Sequence, residues 1–264
     1  MSRGQFARTE VMLGPEGLQR LQQSRVVVVG LGAVGSYAVE ALARAGVGHL
    51  RLVDHDTVKL SNLNRQLLAL HSTLGQPKVE LAAARVRDIS PGCEIEALRL
   101  FCHANTMDRV LAPPLDLVLD AIDSFSPKLE LLCAAVQRGL PILSSMGAAL
   151  RTDAGRVRTG LLTEATDCPL ARRLRKLLRR RGVTTDIPCV YSDETVDVRF
   201  VQPPEPGDAS EQAFNQGRPR RVLGSLPTIT GFFGLTMAHE ALRLLLGGFW
   251  PGRPPSGVDT RCAP

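Results

Sequence analysis

The sequence has few aromatic residues, no closely paired cysteines and no apolar run near its start. Aromatic residues make up only 4% of the chain, so we expect a core built mainly from Leu, Val and Ala. None of the six cysteines has the CxxC spacing of a structural zinc site. The opening MSRGQFARTE lacks the apolar segment of a secretory signal peptide, which favours a cytoplasmic protein with reduced thiols.

Long uncharged apolar segments are also absent. The most apolar C-terminal stretch, Gly231–Trp250, contains His239, Glu240 and Arg243. These polar residues favour an amphipathic or buried helix, and no membrane span is expected.

Strand and helix patterns alternate along the first part of the chain. The predicted strands are Val26–Val29, His49–Val53, Glu94–Leu100, Leu115–Asp120 and Pro141–Ser145. The predicted helices are Gly35–Ala45, Lys78–Ile89 and about Lys128–Arg138. This alternation indicates an α/β fold with a doubly wound, Rossmann-like, mostly parallel sheet.

The pattern changes after Ala148. We expect one domain over residues 1–150, followed by a C-terminal portion of the same fold over residues 151–250. The elements predicted there are a strand of a smaller subdomain at Arg156–Leu162, a basic helix at 169–181, a mobile loop at 202–221 and a helix at Leu235–Leu246. The Pro-rich tail, residues 251–264, is predicted to be disordered.

A glycine-rich turn lies between the first predicted strand and the first predicted helix. Gly30, Gly32 and Gly35 of GLGAVG allow a tight turn and close approach of the backbone to a phosphate, which a helix N-terminus also favours. Asp54 ends the second strand, where its carboxylate can bind a ribose hydroxyl. The pattern fits NAD, FAD or an adenylate equally, or glycines that only permit close strand–helix packing.

Two cations and a further carboxylate favour triphosphate chemistry over hydride transfer. Arg65 and Lys78 would place two positive charges beside one nucleotide, where they can stabilise the charge that builds on departing phosphates. Asp123 follows a predicted strand, at the edge where open α/β sheets bind ligands, and a carboxylate there can hold Mg²⁺. An NAD-dependent oxidoreductase is therefore disfavoured.

The order and spacing of five motifs resemble a known family. GLGAVG, LVDHD, LSNLNRQ, QPKVE and DAIDS are similar to the motifs of adenylating enzymes that activate ubiquitin-like proteins and sulfur carriers. The resemblance covers residues 8–150 and implies an ATP-binding adenylation domain, with Asp54 at the ribose and Asp123 carrying Mg²⁺. Asn62, Arg65, Gln66 and Lys78 are implied at the triphosphate, and the same motifs add Asp56 and Ser124 to the expected nucleotide site.

The same family places an arginine before the first strand, and this arginine reaches into the partner subunit's site. Arg8, in FARTE, stands at the matching position. The resemblance therefore implies a homodimer, and the alternative is a solvated terminal residue.

The remaining sequence resembles one branch of these enzymes, the tRNA threonylcarbamoyladenosine dehydratases. The segments that carry this resemblance are DCPLARRLRK, PCVYSDE and LGSLP. It implies that ATP activates the threonyl carboxylate of a modified tRNA adenosine, and that the neighbouring carbamoyl group then attacks within the same molecule. It also leaves Cys189 as either a sulfur-handling residue, with sulfur-transfer proteins as candidate partners, or a small buried hydrophobe.

Positive charge is concentrated in one segment. Residues 172–181 read RRLRKLLRRR and carry seven positive charges, without which the net charge of +6 would become −1. Leu170, Leu174 and Leu177 are spaced to pack on the body, which leaves a basic outer face that can bind an RNA backbone. The predicted tRNA-binding residues on this outer face are Arg172 and Arg179, with Arg175 or Lys176 between them. A solvated face without a ligand is the alternative, and Arg218, Arg220 and Arg221 of the predicted loop would add contacts.

Two other functions stay open. Adenylation of the C-terminus of a small sulfur-carrier protein is disfavoured by the missing zinc cysteines. A non-catalytic nucleotide-binding or RNA-binding module is disfavoured because Arg65, Lys78 and Asp123 are all present.

Overall fold

Short apolar segments form a seven-stranded sheet in the computed structural model, which describes residues 4–203 and 222–251. The strands are β1 (Arg25–Val29), β2 (His49–Val53), β3 (Glu94–Leu98), β4 (Leu117–Asp120), β5 (Ile142–Ser145), β6 (Val157–Leu161) and β7 (Pro188–Ser192). Their order across the sheet is β3-β2-β1-β4-β5-β7-β6. Only β6 runs antiparallel to its neighbour within this sheet.

Helices cover both faces of the sheet. They are α1 (Ala7–Gln23), α2 (Gly35–Ala45), α3 (Lys78–Ile89), α4 (Met107–Val110), α5 (Phe125–Gln137), α6 (Pro169–Arg180) and α7 (Pro227–Leu246). Successive side chains of a strand point to opposite faces. Val28 of β1 therefore belongs to one buried cluster with Phe233 of α7, whereas Val27 belongs to another with Leu131 of α5.

The predicted fold class is confirmed. The bounds of β2, α2 and α3 agree with the predicted ranges, and β1 and β5 differ by one residue at their starts. These elements combine a clear apolar pattern with a sharp ending. Gly46, for example, ends α2 in the left-handed conformation with φ 97°.

The prediction missed β7, gave α5, β3 and β4 bounds that differ by two or three residues, and differs from the described chain in three further features. The strand near residue 160 does not belong to a separate subdomain, because β6 pairs with β7 at the end of the main sheet. The prediction missed α1, whose pattern is interrupted by Gly14 at φ 73° and Pro15. It also placed the start of α7 eight residues late, since the apolar residues around Pro227 show no clear amphipathic pattern.

Most of the predicted mobile loop lies outside the described residues. Gln202 ends a short strand, β8 (Val201–Gln202), which pairs antiparallel with β9 (Val222–Leu223). Arg218, Arg220 and Arg221 lie beyond the described ranges, as does the predicted disordered tail after Pro251. Among the helices that the structure describes, none is long and apolar enough to cross a membrane.

Candidate active site

The glycine turn between β1 and α2 is closely packed against the loop that follows β4. Gly30 has φ 93°, and a Cβ atom there would lie 2.7 Å from the carbonyl oxygen of Ala121. A Cβ atom at Gly35 would lie 1.8 Å from the carbonyl oxygen of Gly30. Both positions therefore require glycine. The helix α2 begins at Gly35 without a side-chain cap, which leaves its N-terminus suited to a phosphate.

Asp54 links this turn to the end of β2. Its Oδ2 accepts a hydrogen bond from the backbone N–H of Leu31 at 2.7 Å, and its Oδ1 accepts one from the N–H of Asp56 at 2.8 Å. Burial raises the pKa of Asp54, while Lys78 acts in the opposite direction. Each carboxylate oxygen keeps a further lone pair, so Asp54 can still accept a hydrogen bond from a ribose hydroxyl.

Lys78 and Asp56 form an ion pair beside Asp54. The ammonium of Lys78 lies 2.9 Å from Oδ2 of Asp56, and the Lys78 side chain is only 5% exposed. Burial would raise the pKa of Asp56, but the charge and hydrogen bond of Lys78, with smaller effects of His55 and Lys59, together hold that pKa below its usual range. The predicted phosphate-binding cation is thus fixed at the first turn of α3.

The NLNRQ segment contributes three polar side chains. Asn62 is buried, and its Oδ1 accepts a hydrogen bond from the N–H of Lys59 at 3.1 Å, which closes a turn. Arg65 donates to the carbonyl of Ser61 at 2.9 Å and to Oδ1 of Asn64 at 2.8 Å, within its own segment.

Gln66 is the third polar side chain of that segment. Its side chain lies beside the glycine turn, with Nε2 at 3.7 Å from the place a Cβ atom on Gly32 would occupy. Its buried Oε1 has no hydrogen-bond partner. A buried unsatisfied acceptor costs about 1–3 kcal/mol, so this amide is available to a ligand that binds the turn.

Asp123 lies just beyond the end of β4, as predicted. It is exposed, and Ser124 donates a hydrogen bond from Oγ to Oδ1 of Asp123 at 3.1 Å. Both residues belong to the loop that touches Gly30. The structure therefore brings Asp123 and Ser124 to the same sheet edge as the glycine turn.

Beneath this loop is a buried ion pair that the sequence-based prediction did not assign. Lys128 and Asp120 are both fully buried, with Nζ 2.6 Å from Oδ2. Lys128 also donates to the carbonyl of Ser145 at 2.9 Å, and Ser144 donates to the same Asp120 oxygen at 2.6 Å. The pair joins α5 to the ends of β4 and β5. Its sequence signal was Asp120 within DAIDS and a lysine five residues after Asp123.

A cavity of about 440 Å³ opens beyond the ends of β2 and β3, at His55, which follows Asp54 in the chain. The rings of His55 and Phe101 meet edge to face, with centroids 4.8 Å apart. The residues that line the cavity are His55, Arg99, Leu100, Phe101, His103 and Thr106. The residues predicted for the site from the sequence do not include His55 or His103, because the packing of the β3 loop against the β2 loop is not visible in either segment alone.

The basic helix is rotated slightly from its predicted orientation. Ala171, Leu174 and Leu178 are its buried residues, whereas Leu170 and Leu177 are only half-buried. Arg172, Lys176 and Arg179 are exposed, as predicted.

Arg175 is a correction to the predicted outer face. It is half-buried, and its Nη1 donates to the carbonyls of Leu162 and Ala165 at 2.8 and 2.7 Å. Of the two residues proposed for the middle of the stripe, Lys176 is therefore the exposed one. Arg175 instead fixes the loop that precedes α6.

Arg8 lies exposed in the first turn of α1, ahead of the Gly14 kink. The same turns present Val11 and Met12 to solvent, 86% and 67% exposed. Within residues 4–203 and 222–251, Arg8 has no ion-pair partner.

The cysteines of the described chain are buried and unpaired. Burial raises the pKa of Cys189 to about 12, so its thiol is protonated at neutral pH. In the described ranges, the one group of three close metal-ligand side chains is Asp54, His55 and Asp56, and it contains no cysteine.

The sheet order and the site residues together define a nucleotide-binding protein of the α/β class. The chain belongs to the ThiF family, whose family model matches residues 5–257.

Individual relatives point to one branch of that family. The tRNA threonylcarbamoyladenosine dehydratase of Bacillus subtilis is 44% identical over 191 residues, which cover 72% of this chain and 75% of the relative. The Escherichia coli protein of the same name is 30% identical, covering 92% of this chain and 94% of the relative. The crystal structure of E. coli tRNA N6-threonylcarbamoyladenosine dehydratase in complex with AMP matches with a TM-score of 0.81 and 30% identity, covering 93% of this chain and 95% of that one.

A relative with a different name is also similar. The sulfur carrier protein adenylyltransferase of Thermus thermophilus is 33% identical, over 93% of this chain and 76% of the relative.

Proposed function

We propose that this chain is an ATP-dependent tRNA threonylcarbamoyladenosine dehydratase. It would activate the threonyl carboxylate of N6-threonylcarbamoyladenosine in tRNA and so drive the cyclisation of that group. The main support is the set of polar side chains at one sheet edge, where Asp54, Lys78, Gln66 and Asp123 surround the glycine turn. The names of the B. subtilis and E. coli relatives supply the substrate.

ATP would bind along this edge. The cavity beside His55 and Phe101 is suited to the adenine, since it is lined by rings and lies next to Asp54. Asp54 would hold the ribose, and the glycine turn with the N-terminus of α2 would bind phosphate. Lys78 and Arg65 would stabilise negative charge on the departing phosphates.

Asp123 is suited to carry Mg²⁺. Its carboxylate is exposed and has one oxygen that accepts from Ser124. Mg²⁺ commonly uses one or two protein carboxylates and takes its other ligands from water and phosphate, which agrees with a single carboxylate here. The ion would neutralise part of the negative charge on the phosphates of ATP.

The reaction needs no nucleophile from the protein. A carboxylate oxygen of the substrate would bond to the α-phosphorus of ATP as the bond from that phosphorus to pyrophosphate breaks, which gives an acyl-adenylate whose phosphate-bearing group is AMP. The neighbouring carbamoyl group would then attack the activated carbonyl carbon and expel the phosphate-bearing group, with net loss of one water from the nucleoside. Intramolecular attack has a high effective concentration, and the buried, protonated Cys189 is not required.

The tRNA would lie along the exposed face of α6. Arg172, Lys176 and Arg179 follow spacings of four and three residues, which places them on one side of the helix. A stripe of this kind can follow an RNA backbone and release counterions. Action on tRNA fits a cytoplasmic location, and sulfur-transfer proteins remain candidate partners.

The protein would act as a homodimer. The exposed Val11 and Met12 beside Arg8 are suited to cover by another subunit, because such large apolar side chains are costly to leave in water. Arg8 would then reach the phosphates in the partner's site.

The test is mass analysis of tRNA nucleosides. Purified protein is incubated with Mg-ATP and tRNA that contains N6-threonylcarbamoyladenosine. With the wild-type protein we expect a nucleoside that is lighter by one water. The Asp123→Ala variant should keep its fold but lose ATP turnover, so it should form none of this product. An unchanged tRNA, together with ATP consumption that requires a sulfur-carrier protein, would instead establish the adenylyltransferase suggested by the T. thermophilus relative.

A further inference from the structure

One residue of the basic helix has a contact unlike those of its neighbours. The guanidinium carbon of Arg173 lies 3.8 Å from the centroid of the Phe125 ring. Arg173 is itself exposed, so its side chain is accessible to solvent as well as in contact with the ring. Arg175, by contrast, is held by two backbone carbonyls.

This contact links the basic helix to the catalytic loop. Phe125 is the first residue of α5 and follows Asp123 by two positions. Two residues span at most about 7 Å of backbone. The helix that carries the proposed tRNA-binding charges therefore contacts, at Arg173, the residue where α5 begins, just after the loop of Asp123.

A guanidinium fixed against a ring is a stacking surface. Arginine planes and aromatic rings are the side chains on which proteins stack unpaired RNA bases. The extended arm from N6 of the modified adenine to its carboxylate carbon is about 5 Å long, from ordinary C–N and C–C bond lengths. Because Phe125 follows Asp123 by two residues, an adenine on Arg173 would lie on the side of the molecule that carries Asp123.

We propose that Arg173 stacks on the adenine that bears the threonylcarbamoyl group and that Phe125 holds the guanidinium in place. Arg173 would then be a substrate-binding residue, and Phe125 a positioning residue that acts through it. This inference rests on the proposed tRNA substrate and adds the place where the reacting base binds.

The test compares variants that keep a positive charge but remove the planar guanidinium. Arg173→Lys keeps the positive charge and removes the flat guanidinium, while Arg180→Lys makes the same change at an exposed position two turns along α6. We expect Arg173→Lys to lower kcat/KM for tRNA roughly 10-fold, the effect of losing one stacking contact, with unchanged ATP affinity. The salt dependence of tRNA binding should stay the same because no charge is lost. Arg180→Lys should match the wild type.

Phe125 provides the second measurement. Phe125→Leu should raise KM for tRNA with little change in ATP affinity, whereas Phe125→Tyr, which keeps a ring, should restore most of the loss. Equal kcat/KM in Arg173→Lys and Arg180→Lys would overturn the stacking inference while the dehydratase function stood. A wild-type protein that leaves tRNA unchanged would overturn both.

Discussion

The ion pair of Lys78 and Asp56 fixes a cation within the proposed triphosphate site. Asp56 is partly exposed, while the Lys78 side chain is almost completely buried. The ammonium is therefore held in one position beside the Asp56 carboxylate. Such preorganised charge is the largest single contribution in many transfer reactions.

This arrangement gives a prediction for the cations. Lys78→Ala and Arg65→Ala should each lower ATP-dependent turnover by at least roughly 100-fold, because a group that stabilises phosphate charge is lost. The rate of ATP consumption in the presence of tRNA is the measurement. Arg87→Ala removes an exposed cation from the same helix as Lys78 and should leave the rate unchanged. Near-normal rates in both site variants would point to a different phosphate clamp.

The buried pair of Lys128 and Asp120 leads to a prediction about stability. Lys128→Ala leaves the Asp120 carboxylate buried without its partner, which should lower the free energy of unfolding by about 3–5 kcal/mol. The double change Lys128→Met with Asp120→Leu removes both charges and should recover much of that loss.

Urea unfolding of the two variants and of Lys176→Ala, an exposed lysine used as the control, measures these differences. A single variant as stable as the wild type would mean that the buried pair does not support the fold. The double variant also reports whether the loop of Asp123 needs the pair for its position, through its remaining turnover.

At the scale of elements, α6 carries both packing and charge. Its buried stripe of Ala171, Leu174 and Leu178 fixes one face on the body, and this leaves most of its cations exposed. Because such a density of like charge is unfavourable by itself, a polyanionic ligand is the natural complement.

The salt dependence of tRNA binding tests this helix. Changing Arg172 and Arg179 to Glu should weaken tRNA binding and flatten the log–log slope, since each phosphate contact contributes roughly −0.7 to −0.9. Affinity for ATP should not change, because neither Arg172 nor Arg179 belongs to the glycine turn or to the polar side chains proposed to bind the nucleotide. Arg87→Glu with Arg109→Glu is the matched control, as it reverses two exposed charges on α3 and α4. A slope equal to that of the wild type would mean that α6 is only a solvated face.

At the scale of the whole molecule, the site is expected to be completed by a second subunit. The kink at Gly14 separates the Arg8 end of α1 from the part that packs through Leu18 and Leu21. That end presents apolar side chains and a cation together, which is a surface suited to docking.

Subunit mixing tests this assembly. Arg8→Ala and Asp123→Ala should each be inactive, while their heterodimers should regain part of the activity, because one of the two sites would contain both residues. Turnover is measured after subunit exchange, with each variant alone as the control. Heterodimers that form but remain inactive would contradict the assignment of Arg8 to the partner's site.

The sequence by itself determined the α/β class, most of the central elements and the candidate residues of the proposed nucleotide site. Local signals suffice there, since runs such as Val26–Val29 specify a buried strand and GLGAVG specifies a turn whose backbone only glycine permits. Motif order then placed Asp54, Lys78 and Asp123 at one sheet edge, because parallel strands end on the same side.

Only the tertiary structure decided which partners the other side chains have. Two such contacts join segments that are distant in sequence, namely His55 with Phe101 and Arg173 with Phe125. The third, between Lys128 and Asp120, was missed because Lys128 lies in a helix pattern that gives no sign of its buried partner. Arg175 shows the same limit, because its spacing placed it on the outer face and two backbone carbonyls hold it inward. The spacing of apolar residues predicts the buried side of a helix only approximately, with an error of part of a helical turn. Hydrogen bonds to neighbouring loops depend on how those loops pack, which the spacing does not show.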